Sequence, residues 1–351
     1  MTDTHSRHKA LLAPYRAALY DFDLETARVA LAALCTQDTL FHHCHPFGDL
    51  TGVDAFFDAA ITPLAAAMPD MEFRDWIVMA GQTEHGGDWV GCGGTVMGTF
   101  LAPWLMIPPT GHLIHMRYHE FFRFEDDTLA EYQAIWDIPE VMMQARAWPM
   151  APSLGREFCV PGPAFQNGHV PGPHDTAQAQ ASCQHIVDML DAMKRHPSQG
   201  GPEVMEMDTF WSARMNWYGP AGIGTGRGIA GFRNWHQAPF LNAMPDRGQY
   251  LDDITYHFFG DGDYAAVTGW PNMIQTVTDD GWMGIVPPGK RISMRSLDFW
   301  RIENGKIREN WVLVDLLDMY RQLGVDVFAR LGEFNKARNM GPINVPDGMT
   351  M

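Results

Sequence analysis

Apolar and polar positions alternate through the last third of the chain. They predict strands at about 250–259, 263–277, 291–302 and 306–315, separated by the turn signals GDGD, VPPGK and ENGK. Ahead of them the pattern predicts helices at about 177–196 and 203–216. A glycine-containing loop and a helix closed by Met244-Pro245-Asp246 follow. The first half repeats the order: helices at about 8–20 and 24–36, a loop, a helix ending in Met68-Pro69-Asp70, then alternating strands. Helices first and an antiparallel meander afterwards predict an α+β fold, without the βαβ alternation of a dinucleotide-binding sheet.

The two halves are copies of one pattern. A shift of 176 lays Gly52, Phe56, Pro63, Ala67 and the Met-Pro-Asp closure onto identical residues at 228–246. A shift of 178 lays residues 109–137 onto 287–315 without a gap, matching Gly111/Gly289, Arg117/Arg295, Arg123/Arg301, Glu125/Glu303, Glu131/Glu309 and Asp137/Asp315. The boundaries predicted are a domain at 1–146, a proline- and glycine-rich linker at 147–175, a second domain at 176–340 and a tail at 341–351. Strands such as ISMRSLDFW and WVLV are apolar on both faces, so a second layer must cover one of them. The two halves are expected to pack as an internal pseudo-dimer.

Composition narrows the function. The chain has 351 residues, 46% of them hydrophobic, and a net charge of −17. An acidic protein is a poor ligand for nucleic acid or an anionic membrane, and no apolar stretch is long enough to span a bilayer. The polar opening MTDTHSRHKA and five cysteines without C-x-x-C spacing fit free thiols and a cytoplasmic setting.

The stretch WYGPAGIGTGRG, with glycines at 222, 224, 226 and 228, looks at first like a phosphate cradle. A dinucleotide loop directly follows a strand, whereas this one is expected to follow a helix. Its first-half counterpart FHHCHPFGDLTG keeps only Gly48 and Gly52. The glycines are therefore read as turn residues at positive φ.

The G-P-x-G-I-G-x-x-R-G loop, the proline-aspartate helix end, the D-x-W/F-R-x-x-x-G-K-I hairpin and W-x-x-x-D together resemble the SnoaL-like polyketide cyclases. The resemblance covers most of 203–325 and, more weakly, 20–145. It implies two tandem cone-shaped α+β barrels of the nuclear-transport-factor-like superfamily, each a curved antiparallel sheet with helices over its concave face. It also implies an apolar pocket and an intramolecular aldol ring closure by an aspartate acid–base, with no metal and no cofactor. The last-strand aspartate of the family falls on Asp315 and, in the first half, on Asp137; another strand register would favour Glu309 and Glu131.

An aldol closure needs a base for the proton α to a carbonyl and an acid for the new alkoxide. One buried carboxylate with a raised pKa serves both. Asp315 follows WVLV and Asp137 follows AIW, each at the end of an apolar strand. The alternative role for each is to cap the following helix. His236 is a further catalytic candidate. Trp217, Tyr218, Trp235, Asn272, Trp282 and Trp311, with His43 and His119 in the first half, are candidate ligand contacts, and core packing is the competing role for each. His42, His43 and His45 with His115 and His119 raise a metal site, but the second half lacks them and no C-x-x-C or helical H-x-x-x-H supports one. The second pocket is expected to be the active one. The expected ligand is a small, apolar, carbonyl-bearing molecule. Competing readings are an epoxide or ester hydrolase and a non-catalytic binding or scaffold protein whose pocket is filled by some of the 23 methionines. Beyond the internal pairing, further homo-oligomerisation stays open.

Overall fold

The computed structural model describes residues 3–85, 87–279 and 281–339. Each half opens with a helix, Thr4–Tyr20 and Thr176–Met193. One device starts both. Asp3 and Asp175 lie in extended backbone and accept the N–H groups of Ser6 and Gln178 at 2.9 and 3.1 Å. A helix start leaves such donors unpaired, and a capping carboxylate satisfies one of them.

In the first half, β1 (Cys35–His43), β2 (Gly48–Thr51), β3 (Glu72–Gln82), β4 (Asp88–Thr99), β5 (Leu113–Glu125) and β6 (Thr128–Trp136) form a six-stranded sheet in the order β2-β1-β6-β5-β4-β3. The second half has β7 (Trp211–Tyr218), β8 (Gly226–Arg227), β9 (His257–Asp261), β10 (Tyr264–Thr268), β11 (Met273–Val277), β12 (Lys290–Met294), β13 (Ser296–Glu303) and β14 (Lys306–Val314). Six of these build the sheet β8-β7-β14-β13-β10-β9, which repeats the first topology, and β11-β12 form a separate ribbon. The fold is thus two tandem α+β domains. Each sheet is open rather than a closed barrel. Each is also mixed rather than wholly antiparallel, because β1 runs parallel to β6 and β7 parallel to β14.

Four expected elements differ. The segment 203–216 is not one helix: Pro202–Met205 is a 3₁₀ turn, Met207–Phe210 a single turn, and β7 begins at Trp211. Its apolar residues Trp211, Met215 and Trp217 face inward along a strand, a spacing short enough to be read as either period. The strand expected at 250–259 is likewise reduced to β9, preceded by a short turn at Leu251–Asp253. The first-domain counterparts β3, β4 and β5 are uninterrupted strands of 11, 12 and 13 residues. The second domain breaks all three: the strand expected at 263–277 is split into β10 and β11, that at 291–302 into β12 and β13, and β11 and β12 leave the main sheet.

The glycine loop therefore follows a strand, not a helix. Gly222, Gly224 and Gly228 have φ of 98°, 83° and 67°, as turn residues should. A side chain at Gly224 would collide with the Gly155 backbone, 2.5 Å away, so the linker occupies the space above the loop. The segment 147–175 has no helix or strand of its own. It crosses both domains through the bridges Arg156–Thr225 and Val78–His169.

The two sheets pack back to back. On β5, Arg117, His119 and Phe121 face the other domain; on β13, Leu297 and Phe299 face them. Phe121 and Phe299 stack with centroids 5.0 Å apart. The approach is close enough that a side chain at Gly91 would meet the Phe299 ring at 2.9 Å. The Arg117 guanidinium crosses the interface and donates to the carbonyls of Tyr218, Gly219 and Val312 at 3.0, 2.6 and 3.1 Å. This is the internal pseudo-dimer. Residues 341–351, expected as a tail, lie outside the described residues.

Candidate active site

Side chains alternate across a strand, so the face of β5 and β13 turned away from the interface points into each domain's interior. On β5 that face carries Tyr118, Glu120 and Phe122; on β13 it carries Ser296, Asp298 and Trp300. Glu120 pairs across the sheet with Ala134, and Asp298 with Val312. Both relations keep the 178-residue offset, so Glu120 and Asp298 are equivalent positions.

The two interiors differ at this carboxylate. Glu120 is wholly buried and held by three donors: Arg16 from the first helix forms a short ion pair, Tyr132 Oη donates at 2.9 Å and Trp136 Nε1 at 3.1 Å. Asp75 on β3 takes the other side of the same guanidinium at 2.7 and 3.0 Å. The repeat replaces all three donors. Tyr132 becomes Asn310 and Trp136 becomes Val314. The helices superpose by burial at an offset of 174, with His8, Leu12, Tyr15 and Leu19 matching Ser182, Ile186, Met189 and Met193. That register puts Leu190 where Arg16 stands.

Where the first domain is plugged, the second is hollow. A chamber of about 280 Å³ is bounded by Asp298, Arg247, Trp300, Tyr256, Phe258 and Leu190, with the exposed Glu84 and Leu251 at its rim. A narrower chamber of about 110 Å³ continues between Trp217, Phe232, His236, Trp282, Asn310 and Val314. Leu190, Arg247, Met273, Ser296, Asp298 and Trp300 border both. Leu190, Asn310 and Val314, which stand in for the three lost donors, all line the narrow chamber.

Asp298 is half-buried and lines both chambers. Among the described residues its carboxylate accepts one hydrogen bond, from Ser296 Oγ at 2.6 Å. Enclosure by protein pushes its pKa up to about 7, against the smaller opposing effect of the Ser296 hydroxyl. The charged form loses hydration and gains few donors in return. Arg247 shares the wall and forms no salt bridge among the described residues. Burial lowers its pKa and the Asp298 charge opposes that, yet an arginine stays protonated in a protein.

The predicted site residues scatter. Trp217, His236 and Trp282 border the narrow chamber. His236 stacks on Trp217 with centroids 4.0 Å apart, and burial pulls its pKa down to about 3. Asn272 borders the wide chamber, but its amide is engaged with the Ser296 backbone at 2.6 and 2.9 Å. Tyr218 and Trp311 lie on the opposite face of the sheet, where Trp311 Nε1 donates to the Pro161 carbonyl at 2.9 Å under the linker. Trp235 is 51% exposed and borders neither chamber. His43 is buried against Phe47 and Trp136 inside the first domain. His119 sits between the sheets, its Nδ1 2.6 Å from the Leu297 carbonyl.

Asp315 and Asp137 border neither chamber. Asp315 accepts the Asp318 N–H at 3.1 Å, capping its helix, and the His45 N–H of the other domain at 3.0 Å. Asp137 accepts the Ala221 N–H of the other domain at 2.9 Å. Burial raises both, Asp315 to about 6 and Asp137 to about 7. No group of three or more histidine, cysteine or acidic residues among the described residues is arranged to hold a metal.

Sequence reasoning missed Asp298, Arg247 and Trp300. Asp298 is the first residue of the D-x-W/F-R hairpin motif, so it was in view as a landmark. Both faces of β13 carry apolar residues, however, and alternation alone does not tell which face is inside.

The description "SnoaL-like polyketide cyclase" matches the chain twice, over residues 16–145 and 203–323. No curated relative matches. Solved structures that resemble one domain include AclR, a candidate hydroxylase from Streptomyces galilaeus, at 18% identity and a TM-score of 0.34, covering 40% of this chain and 97% of that one. IdmH, a candidate polyketide cyclase from Streptomyces antibioticus, is 23% identical with a TM-score of 0.33, covering 39% and 97%. A candidate SnoaL-like polyketide cyclase from Jannaschia sp. CCS1 is 16% identical with a TM-score of 0.33, covering 41% and 94%.

Proposed function

The chain belongs to the SnoaL-like polyketide cyclase family, and from that membership we propose that its second domain is a cofactor-independent cyclase or isomerase site with Asp298 as general acid and base. The observation that carries this reading is the unpaired carboxylate on the wall of an apolar cavity, at the position where the first domain neutralises Glu120 with Arg16. The role expected for Asp315 and Asp137 passes to Asp298, and the two former residues act as pins between domains.

The substrate is an apolar small molecule with a carbonyl group. Ionised Asp298 takes a proton from the carbon α to that carbonyl. Charge develops on the enolate oxygen, and the guanidinium of Arg247 on the same wall is the stabilising charge. The enolate carbon attacks a second carbonyl of the same molecule, one C–C bond forms, and the alkoxide takes the proton back from Asp298. No atom is gained or lost. Trp217, Trp282 and Trp300 supply flat apolar walls that hold rings in register, which is where positioning contributes.

The test is proton exchange itself. Bicyclic aryl ketones such as 2-tetralone are incubated with the full chain in deuterated buffer, and α-deuteration is followed by mass spectrometry. Catalysed exchange that disappears in Asp298→Asn and survives in Asp315→Asn supports the assignment. Exchange no faster than buffer, or equal in both variants, refutes it and leaves a binding protein.

A further inference from the structure

Arg247 has an origin peculiar to the second domain. The 176-residue offset that superposes the two Met-Pro-Asp closures places Arg247 on Met71, which is buried and apolar. The first domain takes its interior cation from the first helix and locks it onto Glu120 and Asp75. In the second domain Leu190 replaces that cation, and the new one enters from the loop after the Met-Pro-Asp helix.

Among the described residues this relocated cation forms no salt bridge, and the Asp298 charge acts on it only from a distance. Asp298 lies beyond salt-bridge distance. The other acidic residues lining the wide chamber are Asp191, held by Lys194 at 2.7 Å, and Glu84 from the other domain, which is exposed. A half-buried guanidinium that forms no salt bridge has lost hydration without full compensation, and a ligand anion offsets that cost. The space beside it suits a ring system, since a cavity of about 150 Å³ holds one benzene and the wide chamber here is about 280 Å³.

We infer that the cavity takes a bicyclic or larger apolar ring system bearing a carboxylate, with that carboxylate seated on Arg247. This rests on the reading of the second domain as the working site, and narrows its substrate class to acids rather than their neutral esters. The five N–H donors of the Arg247 guanidinium would then be shared between the carboxylate and the enolate oxygen, fixing which α-position meets Asp298.

Isothermal titration of the full chain with 2-naphthoate and with methyl 2-naphthoate tests it. The acid is expected to bind about thirtyfold more tightly than the ester, the scale of removing one partner of a buried charge pair. Arg247→Met should abolish the preference, Arg247→Lys should keep part of it, and Asp298→Asn should keep it or enlarge it. Equal affinities in the wild type, no binding of either, or an unchanged preference in a folded Arg247→Met protein would overturn the inference. The acid–ester comparison needs no variant, so misfolding of Arg247→Met leaves it decisive. Loss of naphthoate preference with retained deuterium exchange rejects only the carboxylate subsite. Retained preference without exchange rejects only the acid–base reading.

Discussion

Glu120 and Asp298 occupy the same position of the same strand in the two domains, and only Asp298 borders empty space. The difference lies in their neighbours: Arg16, Tyr132 and Trp136 converge on Glu120, while Leu190, Asn310 and Val314 leave Asp298 one hydroxyl. A duplicated fold has turned one copy of an interior carboxylate into a strut and kept the other unpaired.

Removing the base should remove the chemistry. Asp298→Asn is expected to lower ketone α-deuteration by about 10²–10⁴-fold, the usual contribution of a positioned general base. The cavity and fold should persist, read as unchanged circular dichroism and ligand binding.

The rate should rise with pH. Burial pushes the Asp298 carboxyl up to about 7, and the group acts first as a base, so its active form is the ionised one that accumulates above that value. Exchange should climb through pH 7 and level off, followed as kcat/KM across pH 5–9. A profile levelling off near pH 4–5 would mean an ordinary exposed carboxylate does the work.

The first-domain strut should matter for stability and not for exchange. Arg16→Met leaves Glu120 buried without its cation, and breaking a buried pair by removing one partner costs about 3–5 kcal/mol. Urea denaturation should show that loss while α-deuteration per folded molecule stays unchanged.

The interdomain pins carry a pH signature. Asp137 and Asp315 are raised in the folded state, to about 7 and about 6, against about 3.9 in an unfolded chain. The folded form binds more protons between these values, so their contribution is fully present below about pH 4 and is lost as pH rises through 6–7. Thermal midpoints should therefore fall less from pH 5 to pH 8 in an Asp137→Asn, Asp315→Asn double variant than in the wild type.

Two tryptophans should separate. Trp300 walls both chambers and Trp235 faces solvent. Trp300→Ala should weaken 2-naphthoate binding in calorimetry about tenfold or more, in the range of a lost buried aromatic contact. Trp235→Ala should leave it unchanged.

By itself the sequence determined the duplication, the order of helices and strands, the α+β class and the family. Each of these is a local or repeated signal: alternation in β13 and β14, the Asn304-Gly305 turn, whose two residues both sit at positive φ, the Met-Pro-Asp closure, and matches at fixed offsets. Even locally it failed where an apolar run was short, at Trp211–Tyr218, because strand and helix periods coincide over so few residues. Only the tertiary structure decided which carboxylate faces a cavity. Asp315 and Asp137 end apolar strands as a buried acid–base would, yet backbone N–H groups from the opposite domain claim them. Asp298 owes its setting to a helix more than 100 residues earlier, which supplies Leu190 where its twin supplies arginine. No window along the chain contains both members of such a pair; folding alone brings them together.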